Sequence, residues 1–211
     1  MFKNARKKGY YHVGFIDPCN IHEESVRKWP NRTENNILRA LHKQNTCQYI
    51  LLPFHWILLI IEIDKCRVRV YDSLRKPIYY YQDLINIMQR AWACFLKKHI
   101  GIASTPCDLE FNTNFPCMRQ QQGNNLCGYY ICEYMMDFCC RSSMTQHEIN
   151  ITNMAKELIQ PERIKEIQES ICGFLLNEVI NPNGEFYADP KISVGRVDPN
   201  KDINDDEAAD T

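Results

Sequence analysis

The hydrophobic and polar positions fall into a short series of regular elements. Tyr49-Ile-Leu-Leu52 is a brief apolar run ended by Pro53, and His55-Trp-Ile-Leu-Leu-Ile-Ile-Glu-Ile63 is a longer continuous one. A stretch apolar at nearly every position fits a buried strand. Asp64-Lys65-Cys66 has turn character, and Arg67-Val-Arg-Val-Tyr-Asp72 alternates, which predicts one wet face. Together these stretches predict a β-hairpin. A two-residue turn at 64 and 65 would put Val68 and Val70 on a face with Ile57, Leu59 and Ile61. The same register has His55 facing position 74 and makes Asp72 a diagonal neighbour of His55.

Helical periodicity follows. From Gln82 to His99, the residues Leu84, Ile85, Ile87, Met88, Ala91, Trp92, Phe95 and Leu96 form one broad stripe, and Lys97, Lys98 and His99 suit a C-terminal end. A second helix is expected from about Cys127 to Cys140. A third is expected from about Pro161 to Val179, with proline at the start and Glu162 in the first turn. Upstream, Gly14 to Pro18 looks like a turn, and Asn35 to His42 like a short helix behind an asparagine cap. Residues 101–126 read as loop and short strand. Residues 189–211 hold seven acids and three bases and few large apolar side chains, the pattern of a solvated, disordered tail.

Composition narrows the class. An apolar fraction of 45% over 211 residues suits a chain with its own core. The net charge of −1 gives no support for broad binding to nucleic acid or to an anionic membrane. Apolar runs are far shorter than a bilayer requires, and no apolar segment follows the basic Lys3–Lys8 stretch as a secretory signal would need. The 11 cysteines are odd in number and irregularly spaced, without a C-x-x-C step. That argues for reduced thiols in an intracellular protein, cytoplasmic or nuclear, and against a structural metal site.

Cys127 is the sharpest chemical candidate. A Gly123-Asn-Asn loop running into a helix places it at a helix N-terminus, where free N–H groups and the dipole stabilise a thiolate. A buried structural cysteine has similar weight on position alone. His55 stands out among six histidines because it begins the most apolar stretch, although a lone histidine there is more often a core residue. Asp72 supplies an orienting carboxylate if the hairpin register holds; otherwise it caps the turn Asp72-Ser-Leu-Arg75. In a Cys–His–Asp set the imidazole takes the thiol proton and the carboxylate fixes its tautomer. Gln121 could donate to the oxyanion beside the Cys127 N–H, although Gln120 and Gln122 make that choice ambiguous.

His55-Trp56, Asp72 seventeen residues on, and Gln121-x5-Cys127-Gly128 together resemble the ubiquitin-like-protein proteases, the SUMO and sentrin protease family of adenain-like cysteine peptidases. The order His, Asp, Gln, Cys is the family's order. Leu126-Cys-Gly-Tyr-Tyr-Ile-Cys-Glu133 looks especially like plant, transposon-associated members. The resemblance implies an α+β, papain-like fold in which a central mixed sheet packs against helices. With it the chain reads as a catalytic domain over 49–182 and an N-terminal segment at 1–48 packed on it or leading into it, while the shift in composition marks an acidic, disordered tail over 183–211. The resemblance also implies a monomer without metal or cofactor, cleaving after the C-terminal Gly-Gly of a ubiquitin-like modifier, with Trp56 lining the tunnel for that Gly-Gly. Alternatives on the same fold are an inactive modifier-binding module and a protein acetyltransferase using the same triad. Three departures are visible. Leu126 stands where many members have Asp, the segment before His55 is short, and no upstream Trp-Leu-Asn-Asp element is found.

Overall fold

A computed structural model describes residues 12–99, 108–140 and 158–187. The expected acidic tail beyond residue 187 and the basic Lys3–Lys8 stretch lie outside the described residues. The chain divides into two compact units, with the break between Ile164 and Lys165.

In the first unit five strands form one mixed sheet in sequence order. They are β1 (Val13–Phe15), β2 (Tyr49–Phe54), β3 (Ile57–Glu62), β4 (Arg67–Tyr71) and β5 (Glu110–Asn112). The central three are antiparallel, and the short edge strands β1 and β5 pair in parallel. The first unit also holds the helices α1 (Glu23–Lys28), α2 (Pro30–Lys43), α3 (Gln82–Lys98) and α4 (Cys127–Cys140). A further helix, α5 (Pro161–Phe174), begins there and runs into the second unit, where a π-helical turn over Leu175–Ile180 follows and Phe174 meets Phe186.

The sheet is apolar on both faces because helices cover both. Ile57, Leu59, Ile61, Val68 and Val70 pack with Ile37 and Leu41 of α2 and with Met88, Trp92 and Phe95 of α3. Leu51, Leu58, Ile60 and Tyr71 pack with Tyr130, Tyr134 and Phe138 of α4. This two-sided cover explains the unbroken apolar run of β3.

The hairpin register is the expected one, with Leu58 opposite Tyr71 and Ile61 opposite Val68. Its connection is longer than two residues. A 3-10 turn over Ile63–Lys65 leads into Cys66 in the left-handed region, φ 50°. The wet face predicted for β4 is not seen. Arg69 is buried beneath α4's cluster with its guanidinium on buried Glu62, and Arg67 and Lys65 also reach that carboxylate. Ionic pairing lets a charged face go under cover.

Helix α3 spans its predicted range, and α4 begins and ends where the sequence placed it. The N-terminal region differs more. The expected turn at Gly14 lies in β1, and the expected helix at Asn35 starts earlier, at Pro30, with proline in its first turn and no side-chain cap from Trp29. Pro53 does not end its strand. It sits in β2 beyond the last residue paired with β1, an edge position that needs no N–H.

Candidate active site

The strand β2 runs straight into β3 through His55 and Trp56, since Phe54 pairs with Ile57. Both turn residues have positive φ, 39° and 73°. A two-residue hairpin of this kind demands left-handed backbone and normally uses Asn-Gly. Holding an imidazole and an indole there costs about 1–3 kcal/mol per residue, the kind of strain that collects at functional sites. The turn keeps both side chains at the surface: Trp56 is 56% exposed.

This corrects the expectation that His55 begins a strand. The ladder with β4 ends at Leu58 opposite Tyr71, so the register does not carry on to His55. Asp72 is buried just past β4, and both its oxygens are taken by backbone donors. Leu74 N–H donates to Oδ1 at 2.9 Å and Lys76 N–H to Oδ2 at 2.7 Å. Asp72 therefore caps its own turn, the plainer of its two readings. His55 Nδ1 instead lies 2.9 Å from Oε2 of Glu23, on α1. Among the described residues the imidazole is held by Glu23, and by neither Asp72 nor Cys127. No sequence signal marked Glu23, which sits in a polar stretch 32 residues upstream of His55.

Cys127 opens α4 as a buried free thiol. The N–H groups of Tyr129 and Tyr130 both donate to the Leu126 carbonyl, which makes Leu126 the helix cap. A leucine side chain offers no acceptor, so no side chain of Leu126 caps the N–H groups of Cys127 and Gly128 at the helix start. The preceding segment is tied down from several sides. Tyr134 Oη donates to the Met118 carbonyl at 2.7 Å, and Tyr130 Oη to that of Arg119 at 3.2 Å. Arg75 reaches the Phe115 carbonyl. Burial pushes the Tyr134 hydroxyl far above its usual range and raises that of Tyr130, so both act as neutral donors.

Gln121 lies exposed ahead of a turn, whereas Gln120 is buried. The Gln120 side chain accepts from Ser73 Oγ at 3.0 Å and donates to the Asn124 carbonyl at 3.2 Å. Its backbone N–H donates to the Ser73 carbonyl. Gln120 thus links the loop before Cys127 to the turn after Asp72.

The turn and the helix meet at a cleft of about 400 Å³, whose walls include His22, Glu23, His55, Trp56, Gly128 and Ile131. A Cβ on Gly128 would sit 3.9 Å from Trp56 Cζ3, so the indole lies against the first turn of α4. The structure therefore brings His55 and Trp56 beside the residue that follows Cys127. It leaves Asp72 in its own turn and Gln121 at the surface. Among the described residues no cluster of three His, Cys, Asp or Glu could hold a metal. No described helix is long and apolar enough to cross a membrane.

The sequence profile of the Ulp1 protease family, C-terminal catalytic domain, matches residues 16–171. No curated protein matches the sequence. Among solved structures, the SUMO protease Ulp1 with its catalytic cysteine oxidized to a sulfenic acid is 17% identical, with a TM-score of 0.50, over 83% of this chain and 73% of that one. The C-terminal Ulp1 protease domain in complex with Smt3, the yeast ortholog of SUMO, is 16% identical with a TM-score of 0.48, over 81% and 74%. At 17% identity the first of these supports the α+β cysteine-protease fold and nothing finer.

Proposed function

The chain belongs to the Ulp1 protease family, and on that premise we propose that it is a thiol peptidase acting on a SUMO-like modifier, with Cys127 as nucleophile and His55 as base. The observation that carries this reading is the cleft, where the His55-Trp56 turn stands against the first turn of the helix that Cys127 opens. The cleft is open and mainly apolar, and its size of about 400 Å³ can take a short, flexible C-terminal tail such as Gly-Gly. Trp56 walls it beside Gly128.

The chemistry is acyl transfer. The imidazole takes the Cys127 proton, and the thiolate attacks the carbonyl carbon of the tail's last glycine. The oxyanion is met by the Cys127 N–H at the start of α4, and Gln121 is the side-chain donor proposed to swing in from the surface. Collapse breaks the C–N bond, and the imidazolium protonates the departing amine. Water, deprotonated by the same imidazole, then attacks the thioester and frees the carboxylate and the thiol. Reduced thiols are the reason to place the enzyme in the cytoplasm or nucleus.

A silent modifier-binding module is the second reading, favoured by the commitment of both Asp72 oxygens to backbone donors. Turnover of a modifier with a fluorogenic amide at its C-terminal glycine separates the two. Turnover that is lost in Cys127→Ala and His55→Ala supports the peptidase. Binding of the modifier without turnover by the folded wild type supports the module.

A further inference from the structure

We infer that Gln120 positions the nucleophile: its buried side chain locks the loop that leads to Cys127 onto the turn that follows Asp72. The inference deepens the peptidase reading and rests on it for its catalytic meaning. Three glutamines stand in a row before Cys127, and the fold uses them differently. Gln121 and Gln122 are exposed, whereas Gln120 is buried. A buried amide needs a partner at each end. Ser73 Oγ lies 3.0 Å from Gln120 Oε1, and the Asn124 carbonyl lies 3.2 Å from Nε2. A carbonyl only accepts, so the NH2 end must face Asn124, and the Ser73 hydroxyl donates to the other end. The Gln120 N–H adds a third bond, to the Ser73 carbonyl at 3.1 Å.

Place in the chain decides what these bonds do. The two residues before Gln120 are held from α4, Met118 by Tyr134 and Arg119 by Tyr130. Gln120 itself is held from the turn at the end of β4. Beyond it the chain makes an exposed excursion through Gln121, Gln122 and Gly123, the last at φ 86°. The bond from Gln120 to Asn124 closes that excursion and delivers the chain to Leu126, whose carbonyl starts α4. Closure has a cost, because Asn124 Oδ1 is buried and, among the described residues, has no hydrogen-bond partner. Without Gln120 the loop is released to relieve that acceptor, and Gln121 and the start of α4 at Cys127 lose their fixed approach. Gln120 acts through these neighbours and does not touch the substrate, so it is a positioning residue.

The test uses the full chain and a SUMO with a fluorogenic amide at its C-terminal glycine. Gln120→Leu keeps most of the bulk and removes both side-chain bonds, whereas Ser73→Ala removes one. Well below the thermal midpoint, Gln120→Leu should lose kcat about 10- to 100-fold, the scale set by a misplacement of ~1 Å. KM should hardly move, as for an interaction that serves the transition state. Ser73→Ala should lose less, and the double variant no more than Gln120→Leu alone. Gln122→Leu, at the exposed neighbour, should match wild type. Amide exchange read by mass spectrometry should speed up in the 119–127 segment of Gln120→Leu and stay unchanged in β3. An unchanged kcat in folded Gln120→Leu overturns the inference, as does a loss confined to KM. Should Gln120→Leu not fold, Ser73→Ala carries the same comparison. If wild type turns over no modifier, the peptidase reading fails. The exchange arm then decides alone whether Gln120 holds the loop, and an unchanged 119–127 segment says that it does not.

Discussion

The two ends of the β3–β4 hairpin are built on opposite principles. At the connecting end, Glu62 is buried and met by Arg67, Arg69 and Lys65. At the other end, His55 and Trp56 protrude on left-handed backbone, and one exposed carboxylate meets the histidine. The first end uses charge to close the fold. The second leaves charge and strain at a cleft, where they can act on something that arrives. Asp72 stands between the two regimes: it lies at the open end, and there its carboxylate accepts from two backbone N–H groups.

The contrast can be broken most forcefully at the closed end. Glu62→Gln leaves the buried Arg69 without its carboxylate and should cost about 3–5 kcal/mol in chemical denaturation. Burial alone would push the Glu62 carboxyl up, but hydrogen bonds and charge from Arg67 and Arg69 hold it below the usual range. A lowered carboxylate stabilises the fold above its unfolded value, and that stability is lost as the pH falls through the folded one. Wild type should therefore weaken on acidification in this way, and Glu62→Gln should lack that component.

Asp72→Ala comes next. It orphans the N–H groups of Leu74 and Lys76 and should cost about 1–3 kcal/mol, seen in the same denaturation curves. A loss of activity with unchanged stability would instead return Asp72 to the triad. At the open end the sign reverses. Trp56→Gly relieves a left-handed indole and should raise stability by about 1 kcal/mol while removing the cleft wall and slowing turnover. Thermal unfolding beside kcat/KM reads both.

The smallest effect lies away from both ends, where His42 Nδ1 meets His99 Nε2 at 2.9 Å between α2 and α3. Burial, then the charge of His99 and Lys98, holds His42 below its usual range. A lowered histidine contributes stability above its ordinary value near 6.5, lost as the pH falls below it. The thermal midpoint should slip modestly on acidification through that range, and His42→Gln should flatten the slip.

What could be read from the sequence follows the same division. The hairpin register, the buried stripe of α3 and the start of α4 at Cys127 were legible because periodicity and a Gly-Asn-Asn loop are local signals. The His55-Trp56 turn was not. Pro53 looks like a terminator, and His-Trp is a poor hairpin pair by propensity, so both local cues pointed away from a turn at 55 and 56. Burial of Arg69 was hidden because alternation cannot tell a wet face from a paired one. The Glu23–His55 contact was hidden because it joins a short helix to a distant turn, and no spacing rule reaches that far. Gln120 was one of three candidates in a run, and only burial distinguishes it.

The central claim is that Cys127 is a nucleophile served by the cleft. The most direct measurement is covalent capture with SUMO and ubiquitin probes carrying an electrophile at the C-terminal glycine, followed by intact mass. The expected result is a shift of one SUMO, absent in Cys127→Ala and much slowed in His55→Ala. No adduct from folded protein, with Cys127 alkylated no faster than its other thiols, would contradict it.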